Sequence, residues 1–361
     1  MRSSRSAWRG SAASRRGAPR GPALEALGLG IFASFFFAFT FVLNRRMSLQ
    51  GGSWMWSASL RYLLMLPMLL GLSAARGELT GVLKAIARRP LEWILWSSVG
   101  FGLFYSFICA ASLFGPSWLL AATWQVTIVA GLLLSPLFFD KIPDGSGFRL
   151  VRHRIPGRAL AMASVILLGI GLMQLHEAAT ISPSSALASA GLVLVAAFSY
   201  PLGNRKMMEL CEGAVSTEQR VCGMTICSTP FWIVLGATAA VKDGPPGLNQ
   251  VLQSFLVALF AGVAATLLFF KATDLVREDI KLLAVVESTQ SGEVVFTLVG
   301  GLLVLGDRAP SPLALAGLGL VVLGMVANAL SQAAPARKPE ARGRQGAKKR
   351  GPPPGRPSRR R

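Results

Sequence analysis

Apolar residues run along this chain in long stretches, neither alternating as in strands nor spaced at every third or fourth position, and short polar gaps separate them. A run of about 20 apolar residues is what a helix needs to cross the roughly 30 Å hydrocarbon core of a bilayer. That criterion predicts ten spans, at 23–43, 53–75, 91–113, 117–138, 158–176, 185–203, 218–240, 250–271, 281–305 and 312–331. Helices satisfy their own backbone hydrogen bonds inside lipid, so the expected fold is an all-α integral membrane protein. The longest connection, "DKIPDGSGFRLVRHRIPG" (Asp140–Gly157), lies in a cytoplasmic loop at 139–157. It divides a first half, four helices within 23–138 plus a fifth at 158–176, from a second five-helix half at 185–331.

Composition agrees, because 52% hydrophobic and 15% charged residues leave too little polar surface for a soluble domain. The formal charge of +20 sits mostly in two tails, 1–22 and 332–361, which hold six arginines before Gly21 and eleven basic residues after Gln332. Rich in Gly, Pro, Ser and Ala, these tails have little to bury and are expected to be disordered. A basic segment beside a spanning helix reads as an anchor on anionic lipid; without interleaved aromatics or a folded reader, nucleic acid is not an expected partner. Under a cytoplasmic N-terminus, fourteen Lys and Arg residues fall in cytoplasmic loops and four outside. The excess places both termini in the cytoplasm of a bacterial-type inner membrane, with Arg45 and Arg46 as a local violation whose side chains should fold back over the protein.

The two halves resemble each other. "FTFVLNRRM" (Phe39–Met47) ends the first span and "FSYPLGNRKM" (Phe198–Met207) ends the sixth; Arg61 matches Arg220, and Gln125 in the fourth span matches Gln290 in the ninth. Five helices per half is an odd number, so the second half enters from the opposite side, giving inverted repeats. Secondary transporters are built this way, with the substrate site near mid-membrane between the halves.

The segments "AFTFVLNRRM", "GGSWMWSASLRY", "WSSVGFGLFY", "ATWQVTIVAG" and "ESTQSGEVV" resemble the drug/metabolite transporter superfamily in its ten-helix, two-repeat form, over about residues 24–330. More narrowly the chain is similar to the multidrug resistance efflux transporter group. The resemblance implies export of small molecules, by analogy with small multidrug-resistance proteins that exchange cationic drugs for protons. Their essential glutamate lies within the first helix. Here the first span has only Glu25, near its entrance, and the role is not carried over.

The candidate chemistry centres on the ninth span, where Glu287, Gln290 and Glu293 fall within one sector of about 120°. A charged carboxylate in lipid costs at least about 2.5 kcal/mol, so it pairs, protonates or lines water. Burial disfavours the charged form of a carboxyl group and brings proton loading and release into range. Glu293 and Glu287 are therefore candidates for proton coupling or cation binding, the alternative being a permanent ion pair with Arg61 or Arg220. Arg61, about 12 Å into the second span, either satisfies such a carboxylate or holds an anionic substrate in its fork of donors. Trp124, Gln125 and Tyr105 complete the candidate cavity, Trp124 as a wall for a planar or cationic substrate. Trp54, Trp56, Trp93, Trp96 and Trp118 fit an interfacial belt, and Arg220 fits snorkelling at the cytoplasmic entrance.

Four cysteines and two histidines lack metal-ligand spacing, no G-x-x-x-x-G-K-[ST] loop occurs, and neither a cofactor nor an enzyme triad is expected. Expected partners are a small-molecule substrate, cationic and aromatic by analogy, together with protons and lipid; a monomer and a homodimer both stay open. Two other readings compete: a metabolite or amino-acid exporter anchored by Arg61, and a non-transporting membrane protein acting through its basic tails.

Overall fold

A computed structural model describes residues 20–332, except 145–146, 153–154, 156, 181, 212–213, 277–281, 283–284 and 287. The bulk of both basic tails and the candidate Glu287 therefore lie outside the described residues.

The elements in chain order are α1 (Arg20–Leu49), α2 (Trp54–Ala75), α3 (Leu79–Arg88), α4 (Pro90–Ala111), α5 (Ser117–Leu137), β1 (Phe139–Asp144), β2 (Gly147–Arg152), α6 (Gly157–Thr180), α7 (Pro183–Cys211), α8 (Thr217–Asp243), α9 (Leu248–Val276), α10 (Thr289–Leu305) and α11 (Pro312–Gln332). Seven of them, α1, α2, α4, α5, α7, α8 and α9, are long and apolar enough to cross a membrane. Shorter apolar stretches at Leu160–Leu175, Thr289–Leu305 and Pro312–Asn328 accompany them in α6, α10 and α11.

Two expectations need correction. The connection after α5 is not a plain loop, because β1 and β2 pair antiparallel, with Phe139 opposite Arg152 and Ile142 opposite Arg149. The segment after α2 is helical: Leu79, Val82, Leu83 and Ile86 share one face of α3, and Val82 is fully buried.

Long apolar helices gain little from hydrophobicity against each other in lipid, so close backbone packing through small residues holds the bundle. α6 lies along α11, where a Cβ on Gly169 would meet the Gly317 carbonyl oxygen at 2.5 Å, and one on Gly317 the Gly169 carbonyl oxygen at 2.6 Å. α4 meets α7 in the same way, through Gly100 and Gly203. α1 packs on α9 and α10, α5 on α7 and α10, and α2 on α8, where Tyr62 stacks on Trp232 with ring centroids 4.4 Å apart. Trp93 and Trp118 sit in this core at 2% exposure, which corrects their placement in an interfacial belt; Trp93 fills the space left by Gly223.

Among the described residues, regular helix geometry gives way at several places. α4 and α9 each contain a wide π-helical segment, Ser98–Leu103 and Ala258–Ala264. α5 tightens at Gln125, whose N–H bonds the Ala122 carbonyl, and α10 opens with a 3-10 turn at Thr289–Ser291. Such departures in mid-helix often mark functional positions.

Candidate functional site

The interruptions surround a cavity of about 590 Å³, a volume suited to a drug-sized molecule. Its walls are largely aromatic. Phe104, Trp124 and Tyr200 form one cluster, with Phe104 4.9 Å from each of the other two rings and Trp124 5.7 Å from Tyr200. Phe37 and Phe41 of α1 and Phe269 and Phe270 of α9 add further apolar surface.

Three charged side chains among the described residues line it: Arg61 on α2, Arg220 on α8 and Glu293 on α10. Arg61 is buried at 8% exposure, its guanidinium carbon 4.1 Å from the Tyr105 ring centroid and 5.5 Å from that of Tyr62. Its Nε has no hydrogen-bond partner, and neither has the buried Nε of Arg220. The described ion pairs are Arg89–Glu92, Lys206–Glu209 and Lys271–Glu25, so among the described residues neither cavity arginine has a carboxylate within 4.0 Å. Glu293 is partly exposed on the wall, with Gln125 and Arg61 within interaction range. Glu25 lies at the surface, 3.3 Å from Lys271.

Of the sequence candidates, the structure brings Glu293, Gln290, Gln125, Trp124 and Arg61 to one cavity. Tyr105 is corrected: it lies behind Arg61, fully buried, and its hydroxyl meets Asn44 Nδ2 at 3.0 Å. Both glutamines, at the tightened turns of α5 and α10, line the same space, and Gln290 Nε2 has no hydrogen-bond partner. Pro201 adds a tie between helices. It has no N–H to give the Ala197 carbonyl four residues back, and that oxygen accepts from the Thr127 hydroxyl of α5 at 3.2 Å.

Sequence reasoning missed Tyr200, Asn204 and the cavity position of Arg220. The available signals were "FSYPLGNRKM" and the similarity of the Arg220 and Arg61 positions; Arg220 lines the cavity wall.

Beyond one end of the cavity, polar contacts tie the helix ends together. Arg45 Nη1 turns back to the Ser112 and Leu113 carbonyls at 2.9 and 3.3 Å, as the arginine doublet suggested. Asp307 accepts from the Ser117 N–H and hydroxyl at 3.0 and 2.7 Å, capping the start of α5. Gln250 donates to the Ser53 carbonyl and Ser57 hydroxyl, Gln253 to Gln50, and Trp56 Nε1 to the Gly244 carbonyl. Toward the opposite end the wall is made by Arg220 in the first turn of α8, the last third of α9 and Asn328 near the close of α11.

Fold and site together define a multi-pass helical membrane protein with a solute-sized internal chamber. The chain belongs to the family described as "EmrE: Putative multidrug resistance efflux transporter", which matches residues 24–334. Membership places it among transporters, with a small-molecule substrate and a lipid surround. It is 48% identical over 317 residues to "Uncharacterized protein YjlA" of Bacillus subtilis (strain 168), covering 88% of this chain and 97% of that one. It is also 48% identical over 274 residues to an "Uncharacterized 42.1 kDa protein in intracellular alkaline protease 3'region" of Shouchella clausii, covering 76% and 71%. A solved structure described only as "Crystal structure of protein" shares the fold, with a TM-score of 0.55 and 16% identity over 85% of this chain and 98% of that one.

Proposed function

We propose that this chain is a secondary active exporter of small organic molecules, working by alternating access and coupled to protons through Glu293, Glu287 or both. The observation that carries the reading is a carboxylate on the wall of a mid-span, solute-sized cavity, beside an arginine that it does not grip. A carboxylate locked in an ion pair has no reason to exchange a proton. One facing a wet cavity takes up a proton in one half of a cycle and gives it up in the other.

The helix pairings favour ten spanning helices in two inverted halves. Exchanging α1, α2, α4, α5 and α6 with α7, α8, α9, α10 and α11 turns the α1–α9 contact into the α7–α4 contact, and α1–α10 into α7–α5. The pairs α2–α8, α5–α10 and α6–α11 map onto themselves, and the π-helical segment of α4 falls on that of α9. With both termini cytoplasmic by the loop charges, the polar closure faces outward and the cavity faces the cytoplasm. That is the state in which an exporter collects its load.

The test is flux from proteoliposomes for a panel of radiolabelled solutes under an imposed pH gradient. Wild-type protein should respond to the gradient, and Glu293→Gln should lose the response while keeping a folded, monodisperse protein. Unchanged gradient-driven flux in both Glu293→Gln and Glu287→Gln removes proton coupling, and absence of flux for every solute removes export.

A further inference from the structure

Among the described residues, neither arginine of the cavity has a carboxylate within 4.0 Å. A guanidinium in lipid costs about 2.5–3.5 kcal/mol on insertion scales and therefore finds a partner. Arg61 is more than nine-tenths buried, lies against the Tyr62 and Tyr105 rings and keeps an unpartnered Nε. Arg220 is in the first turn of α8, a 27-residue helix opening with a Ser216–Gln219 capping box. The partial positive charge of a helix start adds to its own and raises the demand for an anion. Arg61, Arg220, Glu293 and Tyr200 line the same cavity, and Tyr200 stands within electrostatic reach of the other three. Two guanidinium groups against one described carboxylate make the wall repel a simple cation.

Resting on the export reading above, we propose that the transported solute carries an anionic group, a carboxylate or a phosphate, bound by Arg61 and Arg220 over the Phe104–Trp124–Tyr200 cluster, leaving Glu293 free to carry the proton. Arginine's planar fork suits both groups, and hydrogen bonds to a charged partner are the strong kind. The body of the solute then lies on aromatic faces, and its charge sets its orientation.

The test uses the purified full chain and four probes: 3-phenylpropionate, its methyl ester, 3-phenylpropylammonium and phenyl phosphate. Binding is read by thermal shift and tryptophan fluorescence, and flux by counterflow in proteoliposomes. The carboxylate, the phosphate or both should bind saturably to wild-type protein, and the ester and the ammonium should not. Which of the two anions binds more tightly identifies the group. Arg61→Gln and Arg220→Gln should each weaken anion binding about 10- to 100-fold, and Arg61→Lys should restore part of the loss. The comparison of acid with ester on unmutated protein stands even if Arg61→Gln folds poorly. Binding and gradient-driven flux of the ammonium in preference to both anions overturns this proposal and leaves export standing. Anion binding that survives both Gln variants also overturns it, since Arg61 then has its counter-charge inside the protein. No binding and no flux for any probe overturns the proposal and counts against export as well.

Discussion

Replacing Asp307 with alanine should unlock the closed end of the cavity. Its Oδ2 accepts two hydrogen bonds from Ser117, at 3.0 Å from the N–H and 2.7 Å from the hydroxyl, and it occupies the space beside Gly301 where a Cβ would come within 2.6 Å. A hydrogen bond to a charged group contributes about 1.5–3 kcal/mol, and a helix cap about 1 kcal/mol. Asp307 is only half-buried, so about 2 kcal/mol for the pair is a fair total. If those bonds exist only when this end is shut, their loss shifts the balance toward the open form about 30-fold. The assay is a single cysteine at the cavity position Thr40, labelled by a membrane-impermeant maleimide from the Asp307 side, in wild-type and Asp307→Ala backgrounds. The native cysteines Cys109, Cys211, Cys222 and Cys227 are all free and buried, which keeps the background low. Labelling should speed up toward that factor in the variant. A lowered melting temperature with an unchanged labelling rate would refute the reasoning, because the Ser117 contact would then be the same in both states.

Gly317→Val should separate α6 from α11, since even a Cβ meets the Gly169 carbonyl oxygen at 2.6 Å; a cost of about 1–3 kcal/mol should appear as a lower melting temperature, whereas Gly319→Ala, with open space around it, should melt like wild type. Ser216→Ala removes the cap on the Gln219 N–H and should cost about 1 kcal/mol, read as faster hydrogen exchange in the first turn of α8, the turn that holds Arg220.

The sequence is most legible where physics is coarse. A run of 20 apolar residues has few alternatives to a spanning helix, and ten windows correspond to the seven long helices and three shorter apolar stretches described here. Gln125 and Gln290, paired by the sequence pattern, both line one cavity from tightened turns of α5 and α10. What the windows miss is whatever shares their hydropathy. Trp93 and Trp118 have the composition of a belt but are buried, because a tryptophan at a helix end reads the same whether it faces headgroups or a glycine notch such as Gly223. α3, ten residues long, is too short for a spanning window, although its apolar positions 79, 82, 83 and 86 carry helical periodicity. Arg220 lines the cavity from the first turn of α8, a position that distance along the span alone did not single out.

The two halves also predict the shape of the state not observed. Arg45 ends α1 and holds the closing carbonyls of α4. Under the exchange of halves its counterpart is Arg205, near the end of α7, and the counterpart of α4 is α9. Arg205 Nη1 donates to the Ser135 hydroxyl of α5 at 3.1 Å, and its guanidinium carbon lies 5.6 Å from the Phe138 ring centroid. Under the exchange of halves proposed above, one arginine is engaged at the closed end while its counterpart is bonded at the other, and the two would trade roles in the opposite state. In the opposite state Arg205 should leave Ser135 for the last carbonyls of α9, as Arg45 lets go of α4. Arg45→Ala should then favour the outward-open form and Arg205→Ala the form described here, with maleimide labelling of the Thr40 position from the Asp307 side faster in the first and slower in the second. Changes of the same sign in both variants would mean that the two arginines do not oppose each other, and the exchange of halves would fail as a guide to the motion.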